Sequence, residues 1–75
     1  MTAPTLSRDA AVDTVLYEYA ERIQADLDAR MPVVVDVVGY GAGWYVLGVD
    51  WGRRLFEVRR SGPAISVAWA AVRPE

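Results

Sequence analysis

Pro32 divides the chain into two stretches whose apolar residues recur at different intervals. After it, short runs rich in valine and aromatic residues alternate with turn residues, as is typical of strands. Before it, apolar residues recur at spacings of three and four, as is typical of a helix with one buried face. These positions are Val12, Val15, Leu16, Tyr19, Ala20, Ile23 and Leu27. Because proline disfavours helical geometry in the preceding residue, the change of pattern predicts a helix over about residues 8–30 and a sheet over about 33–72.

The second stretch contains four strand-like runs separated by three short turns. Gly52-Arg53 fits a two-residue hairpin with glycine first, and Ser-Gly-Pro-Ala (61–64) fits a four-residue turn. The runs are Val33–Val38, Trp44–Trp51, Arg54–Arg60 and Ile65–Val72. The pattern predicts a single α+β domain spanning residues 1–75, in which one long N-terminal helix packs on a four-stranded antiparallel β-meander (α-β-β-β-β).

The predicted turn lengths also fix which face of the sheet meets the helix. They pair Val49 with Phe56 and Leu47 with Val58, so Leu47 and the helical Ile23 are expected in the core. The inward set is Val33, Val35, Val37, Tyr45, Leu47, Val49, Phe56, Val58, Ile65, Val67 and Trp69.

The glycine-rich segment Gly-Tyr-Gly-Ala-Gly (39–43) raises the question of a phosphate-binding loop. A dinucleotide-binding fingerprint needs a third glycine three residues after the second, at the start of a helix. Trp44 occupies that position and a strand follows, and no Gly-Lys-Ser/Thr sequence closes a P-loop. The segment is therefore predicted to be a hairpin loop.

The residue types present leave little scope for catalysis. The 75 residues include no histidine and no cysteine, which excludes Ser-His-Asp and Cys-His catalytic sets and the usual zinc ligands. We expect no catalytic residues, no metal and no cofactor. The first ten residues lack the apolar core of a signal peptide, and no run approaches the roughly 20 apolar residues of a membrane span. These features favour a cytoplasmic protein that has no membrane contact.

The sheet face that turns away from the helix is the first candidate site. One helix covers only one side of such a sheet, and the other side is unusually apolar, which is typical of a protein interface. Trp44 is the expected anchor, and the partner is another protein or a second copy of the chain in a homodimer. An ordinary half-polar antiparallel face is the alternative interpretation. The predicted contact residues are Val34, Asp36, Val38, Tyr40, Trp44, Val46, Glu57 and Arg59.

Two further surfaces remain open. Nucleic-acid binding is an alternative that uses Arg53, Arg54, Arg59 and Arg60, although the net charge of −2 argues against it. The outer side of the helix carries acids and a tyrosine, and this flank is either a solvated face or a recognition surface for a basic partner. Its members are Asp13, Tyr17, Glu21 and Asp28.

In size and composition the chain is similar to the inhibitors and immunity proteins of phages and bacteria. Those proteins are small, often acidic and cofactor-free, and act by masking a partner. The similarity implies an inhibitor, immunity or anti-defence regulator.

Overall fold

The computed structural model of the chain describes the backbone of residues 8–75 and the side chains of residues 13–75. One helix precedes a five-stranded antiparallel sheet, which confirms the α+β class and the order of helix and strands. The prediction of four strands is wrong by one. The elements are α1 (Arg8–Asp28), β1 (Val34–Val37), β2 (Gly41–Asp50), β3 (Leu55–Arg59), β4 (Ile65–Ala68), the 3₁₀ helix η1 (Trp69–Ala71) and β5 (Val72–Pro74).

The inner stripe of α1 packs on the sheet much as its spacing predicts. Ala20 and Ile23 are fully buried, and Leu16, Tyr19 and Leu27 pack against them at the edge of the core. Burial raises the pKa of the Tyr19 hydroxyl, and the charge of Arg22 partly offsets this. Val12 lies outside the residues whose side chains are described.

Val15 departs from the predicted stripe, since 65% of its surface is exposed. In this turn of α1 the neighbouring residue, Leu16, is the one that packs against the core. Val15 lies about 100° away around the helix and is left in solvent.

The helix ends in a hydrogen-bonded cap. Arg30 has a φ of 59°, and its amide donates to the Leu27 carbonyl at 3.0 Å. The Met31 amide donates to the Asp26 carbonyl at 2.9 Å. This pair of bonds is the Schellman pattern, which satisfies the last carbonyls of a helix. Within the described residues, no helix is long and apolar enough to cross a membrane.

The sheet is strongly curled. Its strand order is β4-β3-β2-β1-β5, so β4 and β5 lie at opposite edges. In a flat sheet these edges would be about 19 Å apart, at about 4.8 Å per strand. Only the three residues of η1 join them, and the four steps from Ala68 to Val72 advance the chain by about 8 Å at the 3₁₀ rise. The sheet therefore curves into a partly closed barrel, and its concave side and α1 share one core.

Trp69 is the reason that the predicted fourth strand breaks in two. Its amide donates to the Arg54 carbonyl at 3.1 Å, and its indole Nε1 donates to the Leu55 carbonyl at 3.1 Å. The side chain is buried, so the chain turns across the end of β3 before β5 pairs with β1. The run Ile65–Val72 is thus a strand, a 3₁₀ turn and the start of a second strand.

A β-bulge at Leu47 changes which residues of β2 face the core. Val46 pairs with Val58 and Gly48 pairs with Glu57, so two steps along β2 match one step along β3. The predicted pairing of Val49 with Phe56 is confirmed, but the predicted pairing of Leu47 with Val58 is wrong. A one-residue insertion moves every side chain beyond it to the other face.

The effect on the predicted inward set is limited to β2. Tyr45 and Leu47 were expected in the core and are half exposed instead, whereas Trp44 and Val46 are buried. The remaining nine positions are buried or pack at the edge of the core, namely Val33, Val35, Val37, Val49, Phe56, Val58, Ile65, Val67 and Trp69.

The loop between β1 and β2 agrees with the prediction, and the loop between β2 and β3 differs from it. Residues 38–40 join β1 to β2, and Gly39 and Gly41 both adopt positive φ, which confirms the hairpin loop.

The β2–β3 hairpin is closed by four residues, 51–54, instead of the predicted two. The Asp50 carboxylate accepts a hydrogen bond from the Arg53 amide at 3.0 Å, and Arg54 takes the positive φ expected of a glycine. The predicted type II′ turn at Gly52 is wrong.

Candidate functional site: the outer face of the sheet

The convex side of the sheet carries a row of side chains that the strand pairing brings together. Tyr45 on β2 lies directly opposite Val34 on β1 and Arg59 on β3. Directly paired residues of an antiparallel sheet project to the same face, with Cβ atoms about 5 Å apart. Glu57 lies two residues before Arg59 on the same face, beside Gly48. We call Val34, Tyr45, Leu47, Glu57 and Arg59 the outer patch.

The apolar members of the outer patch are well exposed for residues on a rigid strand. Tyr45 is 50% exposed and Leu47 is 49% exposed, and Val34 is partly buried beside them. The described part of α1 packs on the concave side, through Tyr19 against Phe56 and Tyr17 against Trp69. No described segment covers the outer patch, so its apolar atoms face solvent.

Two of the predicted contact residues belong to the core. Trp44 is 7% exposed and Val46 is 4% exposed, so their assignment to the open face is wrong. The cause is the bulge at Leu47, which the predicted register did not contain. The expected anchor residue therefore contributes to stability, and the exposed apolar side chains are its neighbours Tyr45 and Leu47.

Arg60 also covers Trp44. The guanidinium carbon lies 4.6 Å from the centroid of the Trp44 ring, which is within cation–π range. The Arg60 Nη1 donates to the Tyr40 carbonyl at 2.8 Å and to the Ala42 carbonyl at 3.3 Å. The positive φ of Gly41 and Gly43 bends the chain around this side chain. The glycine-rich segment is thus a binding loop for the protein's own arginine.

The remaining predicted contact residues are distributed over two places. Glu57 and Arg59 lie in the outer patch, and Asp36 lies on the same face of β1, opposite Arg73 of β5. Val38 and Tyr40 are exposed in the loop between β1 and β2, away from the centre of the face. Tyr40 packs edge-on against Trp44, with ring centroids 6.1 Å apart.

The four arginines of the nucleic-acid alternative point to different partners. Arg54 forms an ion pair with Asp13 at 3.0 Å, and Arg60 is bound to the glycine loop. Arg59 lies beside Tyr45 on the outer face, and Arg53 lies in the hairpin turn. The four side chains do not form one basic surface.

Tyr45 and Leu47 are the site residues that the predicted register places on the wrong face. Gly48 follows the bulge directly, and an isolated glycine inside a strand is a known sign of one. That signal was available in the sequence.

Among the described residues, no three carboxylates come close enough to hold a metal ion. No protein-family model matches the chain, and neither a curated protein nor a solved structure shows significant similarity to it.

Proposed function

We propose that this chain is a small binding protein that acts without catalysis, by docking on a partner protein through the outer patch. The observation that supports this most is the pair of half-exposed side chains, Tyr45 and Leu47, on a strand at the centre of the sheet. Large apolar groups in such a position are typical of interfaces.

The chemistry of the outer patch suits a protein surface. Tyrosine offers a large apolar ring with few rotatable bonds and a polar tip, so its ordering costs little entropy when a partner binds. Leu47 adds apolar area beside it, and Arg59 and Glu57 supply charges of both signs at the edge. A buried apolar centre with a charged rim is the usual anatomy of an interface.

The proposed role is that of a masking regulator of the inhibitor, immunity or anti-defence type, acting in the cytoplasm. A second copy of the chain is the other occupant that the patch would accept, since its opposite charges allow self-complementary pairing. Nucleic acid is a weaker candidate, because Arg54 and Arg60 are engaged within the protein. Phosphate binding needs several cations that reach one backbone stretch.

Site-specific photocrosslinking tests the proposal. A photoreactive phenylalanine analogue replaces Leu47 in cells that produce the chain, and the same analogue replaces Met31 as the control. Met31 is also an exposed apolar residue, but it lies at the end of the helix, outside the outer patch. We expect position 47 to give one discrete protein adduct that the variant Arg59→Glu weakens.

The adduct also identifies the occupant. A mass of twice the chain indicates a homodimer, and a larger or smaller mass indicates a different partner. If positions 47 and 31 give the same adducts, or if position 47 gives none, the outer patch is not the docking surface.

A further inference from the structure

A second exposed surface lies where the β2–β3 hairpin meets the helix. The rings of Tyr17 and Trp51 pack against each other there, with centroids 5.2 Å apart and planes inclined at 59°. Tyr17 is 50% exposed and Trp51 is 37% exposed, so part of each side chain is open to solvent. Each ring also contacts the buried Trp69, at 6.1 Å and 5.4 Å respectively, which holds the pair in place.

Carboxylates border this aromatic pair on the helix. Tyr17, Glu21, Gln24 and Asp28 follow one another at spacings of four, three and four, and together with Ala25 and Trp51 they line one shallow groove. The Gln24 side chain donates to the Asp28 carboxylate at 2.9 Å, which holds that acid beside the groove. Asp13, near the start of the described part of α1, is already neutralised by its ion pair with Arg54 of the β2–β3 loop. Glu21 and Asp28 are therefore the acids that the groove offers to a ligand.

The protein contains one example of an arginine bound to an aromatic ring and nearby oxygen atoms. Over Trp44 lies Arg60, whose guanidinium binds the ring face and nearby carbonyl oxygens together. Within the described residues, no cation lies over Tyr17 or Trp51. An aromatic face attracts a cation through its quadrupole, and adjacent carboxylates strengthen that attraction. The groove thus has the same two elements, a ring face and oxygen acceptors, without the arginine.

We propose that this groove, lined by Tyr17, Glu21, Gln24, Asp28 and Trp51, binds an arginine-bearing extended segment of a partner protein. Arginine is favoured over lysine because its planar guanidinium both stacks on aromatic rings and makes two parallel hydrogen bonds to a carboxylate. Glu21 and Asp28 are two helical turns apart, or about 10.5 Å. Two arginines separated by two residues in a polyproline II segment are about 9.3 Å apart, which matches this span.

The groove shares no residue with the outer patch, so either proposal can be wrong without affecting the other. The described helix side chains and the cap that follows them, residues 13–30, carry five acids and two arginines, while residues 31–75 carry four acids and five arginines. A basic segment is therefore attracted to the groove and not to the outer patch.

The probe for the test is the capped peptide Arg-Pro-Pro-Arg, and its neutral counterpart contains citrulline in place of both arginines. Citrulline keeps the shape of arginine and removes its charge. Binding is followed by the NMR signals of the three tryptophan indole N–H groups during titration. We expect the arginine peptide to shift the Trp51 signal most and the citrulline peptide to bind about threefold to tenfold more weakly.

Two matched double variants localise the effect. Glu21→Gln/Asp28→Asn removes two carboxylates from the groove, and Asp36→Asn/Glu57→Gln removes two from the outer face. We expect the first pair to weaken the arginine peptide about threefold to tenfold, and the second pair to change its affinity less than about twofold. Circular dichroism melts confirm that all variants remain folded, and Trp51→Leu provides a second test of the aromatic contact.

Three results would overturn the proposal. One is equal binding of the arginine and citrulline peptides, and another is equal weakening by the two double variants. The third is the absence of any shift at Trp51 at millimolar peptide. None of these results bears on cross-linking from position 47.

Discussion

The two buried tryptophans differ in how their indole N–H groups are satisfied. Trp69 Nε1 donates to the Leu55 carbonyl at 3.1 Å. Trp44 Nε1 is buried and has no hydrogen-bond partner among the described residues. A buried donor without an acceptor costs about 1–3 kcal/mol. The ring of Trp44 opposes this cost by filling the core beneath Arg60.

This contrast predicts different outcomes for the same substitution at the two positions. Trp44→Phe and Trp69→Phe remove the same atoms, but only the second breaks a hydrogen bond. We expect Trp69→Phe to lower the free energy of unfolding by about 1–2 kcal/mol more than Trp44→Phe. Urea unfolding of the two variants measures the difference. An equal or larger loss at Trp44 would contradict the prediction that the hydrogen bond of Trp69 decides the difference.

At the level of elements, the bulge in β2 decides what the sheet exposes. A strand with strict alternation would bury Leu47 and expose Val46, as in the predicted register. The extra residue reverses these two positions, so neighbours in sequence have opposite roles.

Stability measurements on these neighbours test the bulge. Val46→Ala removes two buried carbons and is expected to cost about 1.5–3 kcal/mol, including the cavity that remains. Leu47→Ala removes more atoms but from a half-exposed side chain, and we expect a loss below about 1 kcal/mol. Ile23→Ala, in the buried helix stripe, should cost about 2–5 kcal/mol and serves as the reference. Thermal melts that rank Leu47→Ala above Val46→Ala would contradict the register.

The sequence predicted the elements well because their signals are local. The helical spacing before Pro32, the glycine loop at 38–40 and the alternation in β1 and β3 each depend on nearby residues only. The break at Trp69 depends on partners elsewhere in the chain, whereas the bulge at Leu47 has a local sign in Gly48 that the predicted register does not use. Trp69, for example, is held by Arg54 and Leu55, about fifteen residues earlier. Because of the bulge, the site lies one residue away from the predicted one, at Tyr45 and Leu47 instead of Trp44 and Val46.

At the scale of the molecule, the described residues form one core and leave open the two surfaces for which binding is proposed. The curled sheet places its apolar interior against α1, and the convex side remains uncovered by any described segment. The outer patch is apolar with charges of both signs, whereas the groove between Tyr17, Trp51 and Asp28 is aromatic and acidic. Under the two proposals, each surface binds a different kind of protein segment.

The measurement that tests the proposed function most directly is the affinity for the occupant cross-linked through position 47. Isothermal titration, or sedimentation if the occupant is a second copy, compares Leu47→Glu and Tyr45→Ala with the control Met31→Glu. We predict that the two outer-patch variants keep the parent melting temperature and lose at least about tenfold in affinity, while the control stays within about twofold. Leu47→Glu that binds as tightly as the parent would contradict the assignment of the outer patch as the docking surface.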